Sequence, residues 1–190
     1  MTAQRKIKMT ADQFLKLASR QTNGRYELVD GEIVAMSPER VRHAQVKAEA
    51  WLALRNAIQA AGLPCEAYTD GVTVIIDEHR AREPDASVQC KPADPDSLVL
   101  DEPMIVVEVV SPSSGYQDGG QKVFDYFSVT SIQHYLLIDP DRRHVIHYKR
   151  LEDGDDRLVT RPVSSGSIDL SPPGFSVTVE DLLGPASELA

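Results

Sequence analysis

A strand-forming run, Met104-Ile105-Val106-Val107-Glu108-Val109-Val110, sets one carboxylate among six apolar side chains. Alternate side chains of a strand share a face, so Glu108 points the same way as Val106 and Val110, into what the pattern reads as core. A buried, unpaired carboxylate is costly, so the sequence calls for a cation beside Glu108 or for a neutral acid there. A metal ion and a lysine both meet that demand. Upstream, the proline of Glu83-Pro84-Asp85-Ala86-Ser87-Val88 favours an extended start and exposes Asp85 at the head of another strand. Two carboxylates from adjacent strands, with the Val109 carbonyl between them, make a set of hard oxygen donors suited to Mg²⁺ or Mn²⁺. Downstream, Asp118 and Lys122 are four residues apart and share one face of a helix if that segment is helical. A lysine reaching the same pocket would orient or deprotonate a water, or stabilise charge in a transition state.

These residues belong to a longer ordered series: Tyr26-Glu27-Leu28-Val29-Asp30-Gly31-Glu32, Ser37-Pro38 followed by His43, Pro84-Asp85, Val107-Glu108-Val109-Val110-Ser111-Pro112-Ser113, Asp118 with Lys122, and Tyr135-Leu136-Leu137-Ile138-Asp139-Pro140. The series resembles the Uma family of endonucleases, grouped with the restriction-endonuclease-like PD-(D/E)XK superfamily, over nearly the whole chain and in the same motif order. The resemblance implies an α/β (α+β) fold: a mixed sheet in a restriction-endonuclease-like core, flanked by helices. It makes Asp85 and Glu108 metal ligands and matches Glu27 to an early acidic position. The superfamily pattern wants lysine two residues after the second acid, where this chain has Val110. Lys122 then resembles the displaced lysine of some branches. The function implied is Mg²⁺-dependent (or Mn²⁺-dependent) hydrolysis of phosphodiester bonds, in DNA, by a homodimer. Glu27, Asp85, Glu108 and Lys122 would be the catalytic residues, Val109 a further ligand, and His43 and Asp118 supporting groups.

Several elements must position these groups. Thr10-Ala11-Asp12-Gln13 fits a capping box before a short helix, and Asp30-Gly31 joins two strands, Arg25 to Val29 and Glu32 to Met36, as a hairpin. The spacing of Val46, Ala50, Trp51, Leu54, Ile58 and Ala61 predicts a helix from about Ala44, stopped by Gly62, with His43 just ahead of it. Strands are expected near Val72 to Ile76, Ala86 to Cys90 and Met104 to Val110, and the Pro- and Asp-rich stretch from Lys91 to Asp101 reads as a surface loop. A helix from about Gln117 to Phe127 leads to a strand at His134 to Ile138, and Asp139-Pro140-Asp141 turns the chain into Val145 to Lys149. Leu158 to Val163 and Phe175 to Val179 continue as strands, with a terminal turn at Glu180 to Leu183. These late strands form a β-rich C-terminal extension, available to cover the core or to make a dimer edge.

Length places all 190 residues in a single domain. No apolar stretch approaches a membrane span and no leader stands at the start, which reads as a cytoplasmic protein. Cys65 and Cys90 form no close-spaced metal motif and read as separate buried thiols. His144 and His147, at odd spacing on a strand, point to opposite faces and are set aside as a metal pair.

A net charge of −9 argues against broad nucleic-acid affinity unless positive charge is gathered locally. Three clusters offer it: Arg5, Lys6 and Lys8; Arg40 and Arg42; and Arg142, Arg143, Lys149 and Arg150. None has interleaved aromatics for base stacking, and each is also what an ordinary solvated face looks like. The competing reading is a catalytically inactive module on the same fold, binding nucleic acid or protein, with Glu108 and Lys122 as a structural ion pair. A cysteine or serine hydrolase lacks a nucleophile motif.

Overall fold

The structure, a computed structural model, describes residues 8–20, 24–110, 115–151 and 157–185, the side chains of 115–119 excepted. Helix α1 (Ala11–Ala18) begins with the expected capping box, Thr10 and Gln13 each bonding the other's backbone. Strands β1 (Tyr26–Val29) and β2 (Glu32–Ala35) follow as a hairpin. Asp30 and Gly31 turn it with φ of 49° and 81°, the two left-handed residues of a tight hairpin loop. Next come α2 (Val41–Ala61), β3 (Glu66–Thr69), β4 (Val74–Asp77), β5 (Arg80–Arg82), β6 (Ala86–Gln89) and β7 (Pro103–Val109). The chain closes with α3 (Gly115–Ser128), β8 (His134–Asp139), β9 (His144–Arg150), β10 (Leu158–Val163), β11 (Ser167–Leu170), β12 (Phe175–Thr178) and α4 (Val179–Leu183).

The central sheet runs β10-β9-β8-β7-β6-β3, and a smaller sheet runs β2-β1-β5-β4. Within the central sheet β7 and β8 are parallel, connected through α3, and the other pairs are antiparallel. Period-2 alternation divides β7 between two cores. Ile105, Val107 and Val109 face α2 and the β11–β12 hairpin, packing with Val46, Ala50, Leu54, Ile58, Ile168 and Phe175. Val106 faces the other way, with Val74, Val123, Tyr126 and Tyr135. Glu108 therefore lies on the face covered by α3. The late strands divide their work: β9 and β10 extend the sheet, while β11 and β12 cover it. Among the described residues no helix is long and apolar enough to cross a membrane.

Several expectations change. Helix α2 starts at Val41, so His43 lies inside its first turn rather than ahead of it. Arg40 caps it without a side-chain hydrogen bond, leaving no sequence signature at that end. Strands β3 and β5 carry too few apolar residues to be read from alternation, and β11, Ser-Ile-Asp-Leu, alternates over only four residues. Cys65 and Cys90 are joined as a disulfide rather than separate thiols. Antiparallel pairing of Glu66 with Gln89 brings them side by side at the next position, although they are 25 residues apart in the chain.

His134 and His147 form a buried pair where β8 meets β9. His134 Nε2 donates to the Pro172 carbonyl at 2.8 Å, which leaves its Nδ1 to accept from His147 Nε2 at 2.9 Å. Burial, and for His134 the neighbouring imidazole, holds both pKa values down at about 4. The folded state thus binds fewer protons than the unfolded chain between about pH 6.5 and about pH 4. Stability should be full above that window and fall through it as the pH drops, by on the order of a few kcal/mol. Urea unfolding at stepped pH should show this slope, and His134→Gln should flatten it; an equal slope in the variant would assign it to other groups.

Candidate active site

The register of β6 and β7 decides where the two strand acids meet. Ala86 and Val107 form the last pair of the ladder, so Asp85 just before it and Glu108 just after it come together at this end of the two strands. Both carboxylates are buried, Asp85 at 4% and Glu108 at 8% exposure, and the charge of Asp85 is felt at Glu108. Asp85 N–H donates to the Val107 carbonyl at 2.9 Å, and Val109 N–H donates to Asp85 Oδ2 at 2.7 Å.

Each acid takes a lysine from a different layer. Lys122, on α3, places Nζ 2.8 Å from Glu108 Oε1 and 3.3 Å from Glu27 Oε1. Tyr126, one turn further on, donates to the same Glu108 oxygen at 2.5 Å. A lysine, one of the two cations the sequence called for, is in place, and Tyr126 is both a fully buried core residue and a partner of the acid. On the opposite layer Lys47, on α2, sits 3.0 Å from Asp85 Oδ1 and is only 6% exposed. Its ammonium also meets Glu39 at 2.5 Å and bonds Asp70. His43, one turn before it, has Nε2 2.7 Å from the Val109 carbonyl and 3.7 Å from Asp85 Oδ2. The side chain of Asp118 lies outside the described residues, as do Ser111, Pro112 and Ser113.

Glu27 is not the exposed hairpin acid that its sequence position allowed. It is buried, held by Arg82 Nη1 at 2.9 Å, and Arg82 in turn bonds the fully buried Asp125 at 2.5 and 2.9 Å. Arg80 reaches the other oxygen of Asp125 at 2.5 Å. Arg25 ties Glu83 at 2.6 Å and Asp70 at 2.5 Å. Sequence reading missed Lys47, Arg82 and Asp125 as parts of this assembly. A faint signal existed in Lys47, a charged residue one position after a core position of a patterned helix, and in Asp125, set between Phe124 and Tyr126.

Electrostatics separates the roles of the groups. Burial, opposed by Lys122 but reinforced by Asp85 and Glu27, pushes the Glu108 carboxyl up to about 7. Glu27 moves the other way: burial raises it, but Lys122 and Arg82 more than offset that and hold it below the usual carboxylate range. Burial works against both ammonium groups, yet Glu108 and Glu27 keep Lys122 charged, as Asp85, Asp70 and Glu39 keep Lys47 charged. Glu108 is thus the acid left short of positive charge.

Asp85, Glu108 and the Val109 carbonyl offer oxygen donors of the hard type that Mg²⁺ or Mn²⁺ takes. Among the described residues no three or more His, Cys, Asp or Glu side chains converge on one metal position. The Val109 carbonyl already accepts from His43 but has a second lone pair.

Comparison with known proteins follows this geometry. A family model described as "Uma2: Putative restriction endonuclease" matches residues 11–180. An uncharacterized protein of Synechocystis sp. is 29% identical over 175 residues, spanning 91% of this chain and 90% of its own. A crystal structure from Anabaena variabilis, described as a putative nuclease belonging to DUF820, aligns with a TM-score of 0.71 at 18% identity, covering 92% of this chain and 97% of that one. That likeness is one of fold, and the mixed-sheet, restriction-endonuclease-like architecture expected from the sequence is the one observed.

The Arg82–Asp125 contact permits a direct test of what supports the site. Asp125→Ala leaves a buried guanidinium with Glu27 as its remaining side-chain partner and should cost about 3–5 kcal/mol in urea unfolding. A loss below about 1 kcal/mol, the range of an exposed pair, would show that Arg82 finds water or another partner instead.

Proposed function

The chain belongs to the Uma2 family, described as "Putative restriction endonuclease", and from that premise we propose that it hydrolyses phosphodiester bonds in DNA with a divalent cation, Mg²⁺ or Mn²⁺, held by Asp85, Glu108 and the Val109 carbonyl. The observation that carries the reading is that two buried carboxylates come together at the end of the β6–β7 ladder, each beside a lysine. A bound divalent cation supplies the positive charge that polarises a phosphodiester and makes water nucleophilic at neutral pH.

The chain's own residues prepare the ground for that chemistry. Lys47 and the Val109 N–H fix both oxygens of Asp85. Tyr126 and Lys122 hold one oxygen of Glu108. Glu27, itself fixed by Arg82, turns its other oxygen to Lys122 and so orients the ammonium, which would hold the attacking water or steady charge on the phosphate. His43 anchors the Val109 carbonyl from the α2 side. With Val110 where the superfamily has its lysine, that role falls to Lys122.

One observation favours a non-catalytic binding module instead: each strand acid already has a lysine, so the acids need no metal for charge balance. The two readings part on metal titration. Calorimetry with Mn²⁺ should show binding by the wild type that is lost in the Asp85→Ala/Glu108→Ala double variant, together with DNA cleavage that each single variant reduces by at least about a hundredfold. Undiminished cleavage in both single variants would remove these acids from the mechanism, and absence of metal binding and cleavage in the wild type would favour the module. Cutting two strands calls for two sites, so a homodimer is expected; light scattering giving a monomer mass would contradict the dimer without touching the chemistry.

A further inference from the structure

Two basic clusters far apart in sequence meet beside the site. Arg42, in the first turn of α2, pairs with Asp141 of the β8–β9 turn at 2.8 Å, which brings Arg40 and Arg42 next to Arg142 and Arg143. All four arginines are exposed. The β8–β9 turn continues the strand end that borders the site: β8 runs parallel to β7, Val109 pairs with Ile138, and Val110 N–H donates to the Ile138 carbonyl at 2.8 Å. On the helix side, His43, adjacent to Arg42, touches Val109 itself. A cleft of about 360 Å³ opens between the two segments, with Arg42, Glu49, Asp141, Arg143, Leu183 and Gly184 among its walls.

We propose that this arginine surface, Arg40, Arg42, Arg142 and Arg143, receives the sugar-phosphate backbone of duplex DNA and leads it across the site; the inference rests on the nuclease reading above. Exposure selects this surface over the other candidates. Arg142 lies 3.6 Å from Asp139 and Arg143 donates to the Gly184 carbonyl at 3.1 Å, yet both remain exposed, whereas Lys149, 3.6 Å from Asp169, and Arg150, bonded to the Phe127 and Ile132 carbonyls at 2.6 and 3.1 Å, are half-buried. Arg5 and Lys6 lie outside the described residues. Lys47, Arg82 and Lys122 are bound to carboxylates in the interior.

Acids of the patch are partly turned away from it. Asp139 is only 6% exposed; its Oδ1 accepts the Asp141 and Arg142 N–H groups at 2.9 Å each, and its Oδ2 lies 3.6 Å from the Arg142 guanidinium. Asp141 shares its charge with Arg42. Glu49 remains as one wall of the cleft. The N-terminus of α2 adds to the attraction for phosphate, since its first turn contains no acidic residue and no side chain caps it.

Arginine forks suit phosphate oxygens, and among the described residues no Trp, Tyr or Phe lines the cleft between the two segments to stack an unpaired base, so the surface matches a duplex backbone rather than a single strand. Binding here would be salt-dependent and indifferent to sequence.

The test is fluorescence-anisotropy binding of a labelled 20-base-pair (about two helical turns) DNA duplex to the full chain in EDTA, over a series of salt concentrations. The Arg40→Ala/Arg42→Ala/Arg142→Ala variant should lose at least about tenfold in affinity at 100 mM salt (about physiological), with the slope of log K against log salt shrinking by about one per arginine removed. Thermal melts check that its fold is retained, since the substitutions remove the exposed Arg42–Asp141 contact at 2.8 Å and the Arg142–Asp139 contact at 3.6 Å. Lys91→Ala serves as a control: Lys91 is exposed and follows β6 at the end opposite Asp85. Equal binding by the triple variant and the wild type, an equal loss in Lys91→Ala, or tighter binding of a single strand of the same length would each overturn the proposal. Because cleavage is silent in EDTA, the result stands apart from the catalytic reading: a wild type that binds duplex but never cuts it sinks catalysis alone, and a triple variant that binds normally sinks this surface alone.

Discussion

Asp85 and Glu108 lie buried together at the end of two neighbouring strands, and two carboxylates that close inside a core repel each other while having little water to solvate them. Positive charge must come to both, and the sheet gives it two directions of approach. Lys47 arrives from α2 and Lys122 from α3. The layers on either side of β7 are thereby tied to one spot by charge as well as by apolar packing. Around it the pairing continues outward: Glu27 and Arg82 bring in the smaller sheet, and Asp125 closes the ring from α3.

That ring is not electrically even. Lys122 is shared between Glu27 and Glu108, and Glu27 has Arg82 as well, so Glu108 is the carboxyl left near neutrality. Such an acid is poised between an ion pair and a stronger cation, which is how one constellation supports both the metal-dependent reading and its non-catalytic rival. The chain's overall negative charge fits the same picture. Much of its positive charge serves the interior, and the exposed arginines at the end of β8 stand out against an acidic background.

Local pattern made much of the fold legible. The Asp30-Gly31 hairpin, the Thr10 capping box, the Gly62 stop of α2 and the apolar runs of β7 and β8 each depend on residues within a few positions of one another. Where that local signal is weak, the reading slipped. Strand β5 is Arg80-Ala81-Arg82, whose charges mask a strand that is buried only because Asp125 and Glu27 neutralise them. The start of α2 carries no cap signature, and the cysteines met only because β3 pairs with β6.

By itself the sequence determined that Glu108 faces the core and that it needed a cation, a metal ion or a lysine, because the strand period acts over neighbouring residues; Lys122 entered as that lysine through the resemblance of the motif series. Only the tertiary structure decided which residues complete the site. Arg82 and Asp125 are 43 residues apart and Arg82 and Glu27 are 55 apart, and Lys47 reaches Asp85 from another layer. Such contacts follow from register and from the packing of α2 and α3 on opposite faces, where the free energy of burying a charge is settled by neighbours that no local pattern reveals.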